Sequence, residues 1–89
     1  MIIGTQILIA RILLGLTQED LVKLSGIPLS TLARTEGYRT VSYGKVETMK
    51  TIQTALEKQG VKFVNSNGEV GVILNEKKVS ARKLTSGKK

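Results

Sequence analysis

Two short helices joined by a tight turn at Gly26 are the feature that most limits what this chain can fold into. Thr17 can cap the first turn of one helix, and Asp20, three residues later, completes the reciprocal capping pattern. Gly26 suits the left-handed conformation that ends such a helix. Pro28 suits the first turn of the next helix, because its missing N–H costs nothing there. The sequence therefore predicts a helix-turn-helix unit whose second helix covers about residues 28–36.

A further helix is predicted on each side of this unit. The first covers residues 5–14, where Ile7, Ala10 and Leu14 share one face. The last covers residues 43–59. The apolar positions that we assign to the buried faces of the later helices are Leu21, Val22, Leu24, Leu32, Val46, Met49, Ile52 and Leu56.

The first helix is also apolar over most of its remaining surface, and Arg11 is its only charged residue. A helix that is apolar nearly all round is expected to be buried on both sides. Two occupants of the second side stay open, namely another copy of the chain and the chain's own C-terminal segment. The extra apolar residues are Leu8, Ile9, Ile12 and Leu13.

Beyond the last helix, the hydrophobic period changes to the alternation of strands in residues 61–65 and 70–74. Asn67 and Gly68 lie between them, and Asn-Gly is the strongest short hairpin signal. A two-residue turn there brings together two inward-facing pairs, Phe63 with Val72 and Val61 with Leu74. The fold class predicted is mostly α, with four helices followed by a two-stranded antiparallel hairpin. The free edges of this hairpin can join the strands of a partner.

The positive charge is concentrated at the C-terminal end. Residues 1–75 carry eight Lys/Arg and six Asp/Glu, whereas residues 76–89 carry six and one, which is +5 of the total of +7. A basic tail is attracted to polyanions such as DNA, and a solvated, solubilising tail is the alternative. We predict one domain over residues 1–75, with its hairpin at 61–75, and a disordered basic tail over residues 76–89.

The composition excludes several kinds of chemistry. The chain has no Cys and no His, so disulfides, thiolate metal sites and the usual general base are absent. We expect no enzymatic activity, no cofactor and no metal site, because the acidic residues lack metal-ligand spacing and no phosphate-cradling glycine loop is present. The apolar start lacks the positive region of a signal peptide and is too short for a membrane span, which favours a cytoplasmic protein.

Residues 6–40 resemble the Cro and phage-repressor type of helix-turn-helix, the XRE family. The matching positions are Ala10, Arg11, the run Gly15-Leu16-Thr17-Gln18-Glu19-Asp20-Leu21, Gly26, Ile27, Ser30, Thr31, Leu32, Arg34 and Glu36. The hairpin region is similar to that of short bacterial regulators in which a hairpin follows the fourth helix. The resemblance implies a lambda-repressor-like domain that binds double-stranded DNA and regulates transcription, as a repressor.

The resemblance also implies which residues contact DNA: Thr17, Gln18, Leu29, Ser30, Thr31, Arg34, Tyr38, Arg39 and Lys45. In this interpretation Arg34 binds guanine, Leu29 meets a thymine methyl group, and Ser30 is permissive. Others position the protein on phosphates. The alternatives are that Leu29 packs on the second helix, that Arg34 is solvated, and that Gln18 is merely a good residue for a helix start.

Two structural features follow from the same resemblance. Arg11 and Glu36 stand where the family has an ion pair that fixes the angle between helices, so we expect a partly buried pair with no role in base reading. Val22 and Pro28 depart from the family pattern, which has Ala at the first position and a Ser or Thr cap at the second. The amides at the start of the second helix of the unit must therefore find another acceptor, such as phosphate or water.

Three classes of function remain to be weighed. A sequence-specific regulator needs two half-sites, because one recognition helix reads only about 4–6 base pairs, and this favours a homodimer through the first helix, the hairpin or both. The alternative is an antitoxin of a toxin–antitoxin pair, or a protein-interaction module that uses the same fold. An enzyme is the third class and has no supporting residues.

Overall fold

The computed structural model describes residues 2–37 and 46–77. Within these ranges the chain forms four helices followed by a two-stranded antiparallel hairpin, as predicted. The elements are α1 (Gly4–Leu13), α2 (Gln18–Ser25), α3 (Leu29–Glu36), α4 (Val46–Lys58), β1 (Val61–Ser66) and β2 (Glu69–Leu74). No helix within the described ranges is long and apolar enough to cross a membrane.

The predicted caps of the helix-turn-helix unit are formed. Thr17 Oγ1 accepts a hydrogen bond from the Asp20 backbone N–H at 3.0 Å, and an Asp20 carboxylate oxygen accepts one from the Thr17 N–H at 2.9 Å. Gly26 ends α2 with a φ of 77°, in the left-handed region that favours glycine. Ser25 Oγ accepts the Ile27 N–H at 3.1 Å and so holds the first step of the turn.

The core joins all four helices to the start of the hairpin. Its buried members are Ile2, Ile7, Ala10, Leu14, Leu16, Leu21, Leu32, Met49, Ile52, Leu56 and Val61. Two predicted members are wrong. Val46 is 52% exposed because it is the first residue of α4, at the end away from the hairpin. Leu24 is 37% exposed and borders an open groove against α4, where Ala55 is the buried neighbour.

The hairpin has the predicted register, with Val61 opposite Leu74 and Phe63 opposite Val72. Asn67 and Gly68 both have positive φ, 55° and 78°, as a type I′ turn requires. Each strand is one residue longer than predicted at the turn. The half-buried hairpin side chains that pack against the helical core are Phe63, Val72 and Leu74.

A buried glutamine near the start of α1 fastens the hairpin to the helices, and the sequence did not predict it. The Gln6 side chain is 1% exposed, and its Nε2 donates to the carbonyl oxygens of Gly71 at 2.8 Å and Val64 at 3.1 Å. Its Oε1 accepts from Asn65 Nδ2 at 2.9 Å and from the Ile3 backbone N–H at 2.9 Å. One side chain therefore caps α1 and holds both strands.

The second side of α1 is covered only in part by the chain's own C-terminal segment. α1 packs against β2 as well as against α3 and α4, and α4 packs against β1 as well as against α2. Ile9, Ile12 and Leu13 remain 40%, 61% and 37% exposed. The helix therefore keeps an apolar strip at the surface.

Candidate nucleic-acid interface

The inner face of α3 is fixed in the core. Leu32, Thr35 and Glu36 are 0%, 1% and 6% exposed. The Thr35 hydroxyl donates to the Thr31 carbonyl oxygen at 2.7 Å, so this buried polar group is satisfied within the helix. Positions spaced by three and four residues thus hold α3 against the rest of the molecule.

The outer face of α3 presents the side chains that the family resemblance assigns to DNA contact from this helix. Leu29, Ser30, Ala33 and Arg34 are all exposed, and Thr31 is half-buried at the side. Leu29 is 42% exposed, so it does not pack fully onto α2. An α-helix with its side chains is about 10–12 Å across, which is close to the width of the major groove of B-DNA.

A polar network locks the far end of α3 to α1. Arg11 Nε donates to Glu36 Oε2 at 2.8 Å, and a guanidinium NH2 group donates to Glu36 Oε1 at 3.1 Å, which makes the pair bidentate. The other terminal nitrogen of Arg11 donates to the Leu16 carbonyl oxygen at 3.0 Å. The expected ion pair is therefore formed. It is largely buried, since the side chains of Arg11 and Glu36 are 16% and 5% exposed.

Gln18 belongs to the same network. Its Nε2 donates to Glu36 Oε1 at 3.0 Å, so the first residue of α2 braces the last residue of α3. The sequence placed Gln18 near DNA but did not predict this partner. The contact leaves its side-chain oxygen and its backbone N–H for other partners.

The first turns of α2 and α3 carry amide groups that the helices themselves do not use. In α2, the Thr17 hydroxyl oxygen accepts a hydrogen bond from the Asp20 N–H. It does not accept one from the N–H groups of Gln18 and Glu19. In α3, Pro28 offers no side-chain cap. Such amides, at the positive end of the helix dipole, attract anions.

Several predicted residues lie outside the described part of the chain. Tyr38, Arg39 and Lys45 are in the segment between α3 and α4, and residues 78–89 make up most of the predicted tail. Lys77, at the start of the predicted tail, donates its N–H to Asn75 Oδ1 at 3.0 Å in a turn.

The described residues hold no group of three or more Asp and Glu side chains that could bind a metal ion. No protein-family model matches the chain, and no curated protein matches it. The resemblance to the Cro and phage-repressor family is therefore an expectation that comes from the motif residues alone.

Proposed function

We propose that this protein is a sequence-specific DNA-binding transcriptional regulator, a repressor, that inserts α3 into the major groove. The observation that carries the proposal is the contrast between the two faces of α3. Its inner face is held in the core by Leu32 and by the hydrogen bonds of Glu36. Its outer face exposes Leu29, Ser30 and Arg34 to solvent. A rigid helix with an adaptable outer face is what base reading needs.

Each exposed side chain of α3 has a role in this proposal. Arg34 donates two hydrogen bonds to guanine O6 and N7, a pairing worth about 1–3 kcal/mol of discrimination. Leu29 contacts a thymine methyl group, and Ser30 accepts or donates according to the base. Thr17, Gln18 and Thr31, together with the uncapped amides of the first helical turns, bind phosphates that fix the register. Tyr38, Arg39 and Lys45 are proposed as further phosphate contacts from the sequence.

The proposal includes a second copy of the chain and a cytoplasmic location. One recognition helix reads too few base pairs for useful specificity, so two helices must contact half-sites about one helical turn apart. The basic residues in 76–89 add a sequence-independent attraction to DNA.

Fluorescence anisotropy on DNA from upstream of the protein's own gene tests this function. A scrambled duplex of equal length is the control, and salt is varied from about 50 to 300 mM, because phosphate contacts weaken steeply over that range. We expect tight binding to the upstream DNA that survives at physiological salt. Equal affinities for both duplexes, collapsing together as salt rises, would show that only the basic segments bind.

Replacement of Arg34 tests its role as a base reader. Arg34→Ala should lower the ratio of affinities for cognate and mismatched DNA by about tenfold or more, the equivalent of about 1–3 kcal/mol. Lys58→Ala, which removes the same charge from the exposed C-terminal end of α4, should leave the ratio unchanged. An equal loss of affinity on both sequences in Arg34→Ala would assign it to phosphate contact instead.

A protein-binding function, including that of an antitoxin, is the second candidate. The apolar strip on α1 favours it, because Ile9, Ile12 and Leu13 are exposed on one helix. Co-expression with the product of the adjacent gene would test it. A stable complex that Ile12→Lys abolishes, from a chain that does not discriminate between DNA sequences, would support this function over the first.

A further inference from the structure

The outer edge of β2 carries backbone groups without partners. Directly opposed residues of an antiparallel pair alternate between hydrogen-bonded and non-bonded, and Ser66 and Glu69, which flank the two-residue turn, form a bonded pair. The bond from the Asn75 N–H to the Gly60 carbonyl oxygen, 2.8 Å long, has the same phase. The residues of β2 whose N–H and C=O groups point away from β1 are therefore Val70, Val72 and Leu74. No hydrogen bond among the described residues engages them.

The two edges of the hairpin differ in how well they are protected against pairing. Natural edge strands are often blunted by charged residues, especially lysine. β1 has an exposed lysine, Lys62, as its second residue, whereas β2 has no charged residue after Glu69. The β2 edge is therefore the one that favours pairing with another strand.

We propose that β2 pairs antiparallel with β2 of a second copy of this chain, which gives a continuous four-stranded sheet. The two-fold axis lies at Val72, so that Val72 faces the partner's Val72 and Val70 faces the partner's Leu74. In this register Glu69 lies opposite the partner's Asn75, and no like charges oppose one another along the strand. The proposal deepens the proposed function, because it names the interface through which the two copies of the regulator meet.

Gly71 and Ile73 explain why the partner is a second copy rather than an arbitrary strand. Both lie on the face of the hairpin that points away from the helical core, where Ile73 is 53% exposed. A Cβ atom added at Gly71 would meet nothing within 4 Å, so there is open space above it. The proposed register sets Ile73 opposite the partner's Gly71, and the same contact occurs twice. Each isoleucine fills the space above the other copy's glycine.

We include the apolar strip of α1 in the interface, because α1 also packs against β2. Gln6 of α1 donates a hydrogen bond to the Gly71 carbonyl oxygen of β2 at 2.8 Å and so joins the two elements. A stable interface buries about 800 Å² on each partner. Ile9 and Ile12, exposed on this helix, are the apolar residues of α1 that can add area to such an interface.

Analytical ultracentrifugation of the full chain without DNA tests the pairing. The wild type should be a dimer. Gly71→Val should weaken it about tenfold or more, the equivalent of one lost contact of about 1.4 kcal/mol, because the added side chain meets the partner's Ile73. Gly71 does not have positive φ, and β-branched residues favour strands, so the variant should keep its fold, as its thermal melting would show.

Ile73→Lys provides a second variant that does not disturb the core, and it should also weaken the dimer. Val46→Lys is its matched control, since it also replaces a β-branched apolar side chain by lysine at a similarly exposed position, and it should leave the dimer intact. In the wild type, the amide protons of Val70 and Val72 should exchange more slowly as protein concentration rises, since pairing engages them.

Three results would overturn the pairing. The first is a chain that stays monomeric at millimolar concentration. The second is a dimer that Ile12→Lys dissociates and that Gly71→Val and Ile73→Lys leave unchanged, since the interface would then be α1 alone. The third is rapid exchange at Val72 in a stable dimer. Because DNA is absent, a dimer that fails to discriminate between DNA sequences would contradict the proposed function and leave the pairing standing.

Discussion

Two buried polar side chains, Glu36 and Gln6, each fasten one region of the molecule, and they do so by different chemistry. Glu36 is a charge that receives three hydrogen bonds from Arg11 and Gln18, and it joins three helices. Gln6 is neutral, and its amide matches the carbonyl oxygens of both strands and the amide of Asn65. The first arrangement fixes the position of α3, and the second fixes the position of the hairpin.

The surfaces of the two regions also differ in polarity. α3 presents Ser30 and Arg34 with one leucine, and the amides at its start are uncapped. α1 and β2 instead present isoleucine and valine beside unpaired backbone groups. The surface of α3 favours a hydrated polyanion. The surface of α1 and β2 favours a second strand with its own apolar side chains. A small domain can therefore keep two unlike surfaces when a separate buried polar group anchors each of them.

The largest loss of stability should come from breaking the ion pair of Glu36 with Arg11. Glu36→Ala leaves the Arg11 guanidinium, whose side chain is 16% exposed, without its carboxylate, and it should lower the free energy of unfolding by about 3 kcal/mol or more. Urea denaturation followed by circular dichroism measures it. Glu36→Gln, which keeps the shape and an acceptor oxygen, should lose less. A Glu36→Gln variant as stable as the wild type would mean that packing and neutral hydrogen bonds, not charge pairing, make the contribution.

Breaking the hydrogen bonds of Gln6 to the hairpin should lower the stability by a smaller amount. Gln6→Leu fills a similar volume but removes the bonds to Asn65 and to the strand carbonyls, so the free energy of unfolding should fall by about 1–2 kcal/mol. Gln6→Glu should lower the free energy of unfolding further, because a carboxylate would face the carbonyl oxygens of Val64 and Gly71. Hydrogen exchange in β1 and β2 would locate the loss. A change confined to α2 and α3 would contradict the assignment of Gln6 to the hairpin.

A smaller and more local effect is expected at the start of α2. Thr17→Ala removes the acceptor of the Asp20 N–H and should lower the free energy of unfolding by about 1 kcal/mol. Thr17→Ser, which keeps the hydroxyl, should be close to the wild type in a urea titration. If the serine variant were as unstable as the alanine variant, the methyl group and not the cap would be responsible.

The sequence predicted best where the chemistry is local. Thr17 with Asp20, and Asn67 with Gly68, determine their caps and turns through residues within three positions of one another. The hairpin register follows from the turn alone, because the alternation of strands leaves one way to pair them. The ion pair of Arg11 and Glu36 was expected from the family resemblance rather than from spacing.

The parts that the sequence did not predict depend on contacts between distant residues. Gln6 finds its partners about sixty positions away in the chain, and a glutamine in an apolar helix gives no sign of this. Gln18 has the same difficulty, since its partner lies at the end of the next helix. Leu24 and Val46 were assigned to the core by periodicity, which gives the face of a helix but not how far along it the neighbours extend.

Selection from a pool of randomised DNA tests most directly the claim that α3 reads sequence. The wild type and a variant with Leu29, Ser30 and Arg34 all changed to alanine would be taken through the same rounds, since these exposed positions leave the core intact. We expect the wild type to enrich one sequence and the variant to enrich none. Enrichment of the same sequence by both proteins, or by neither, would contradict the claim.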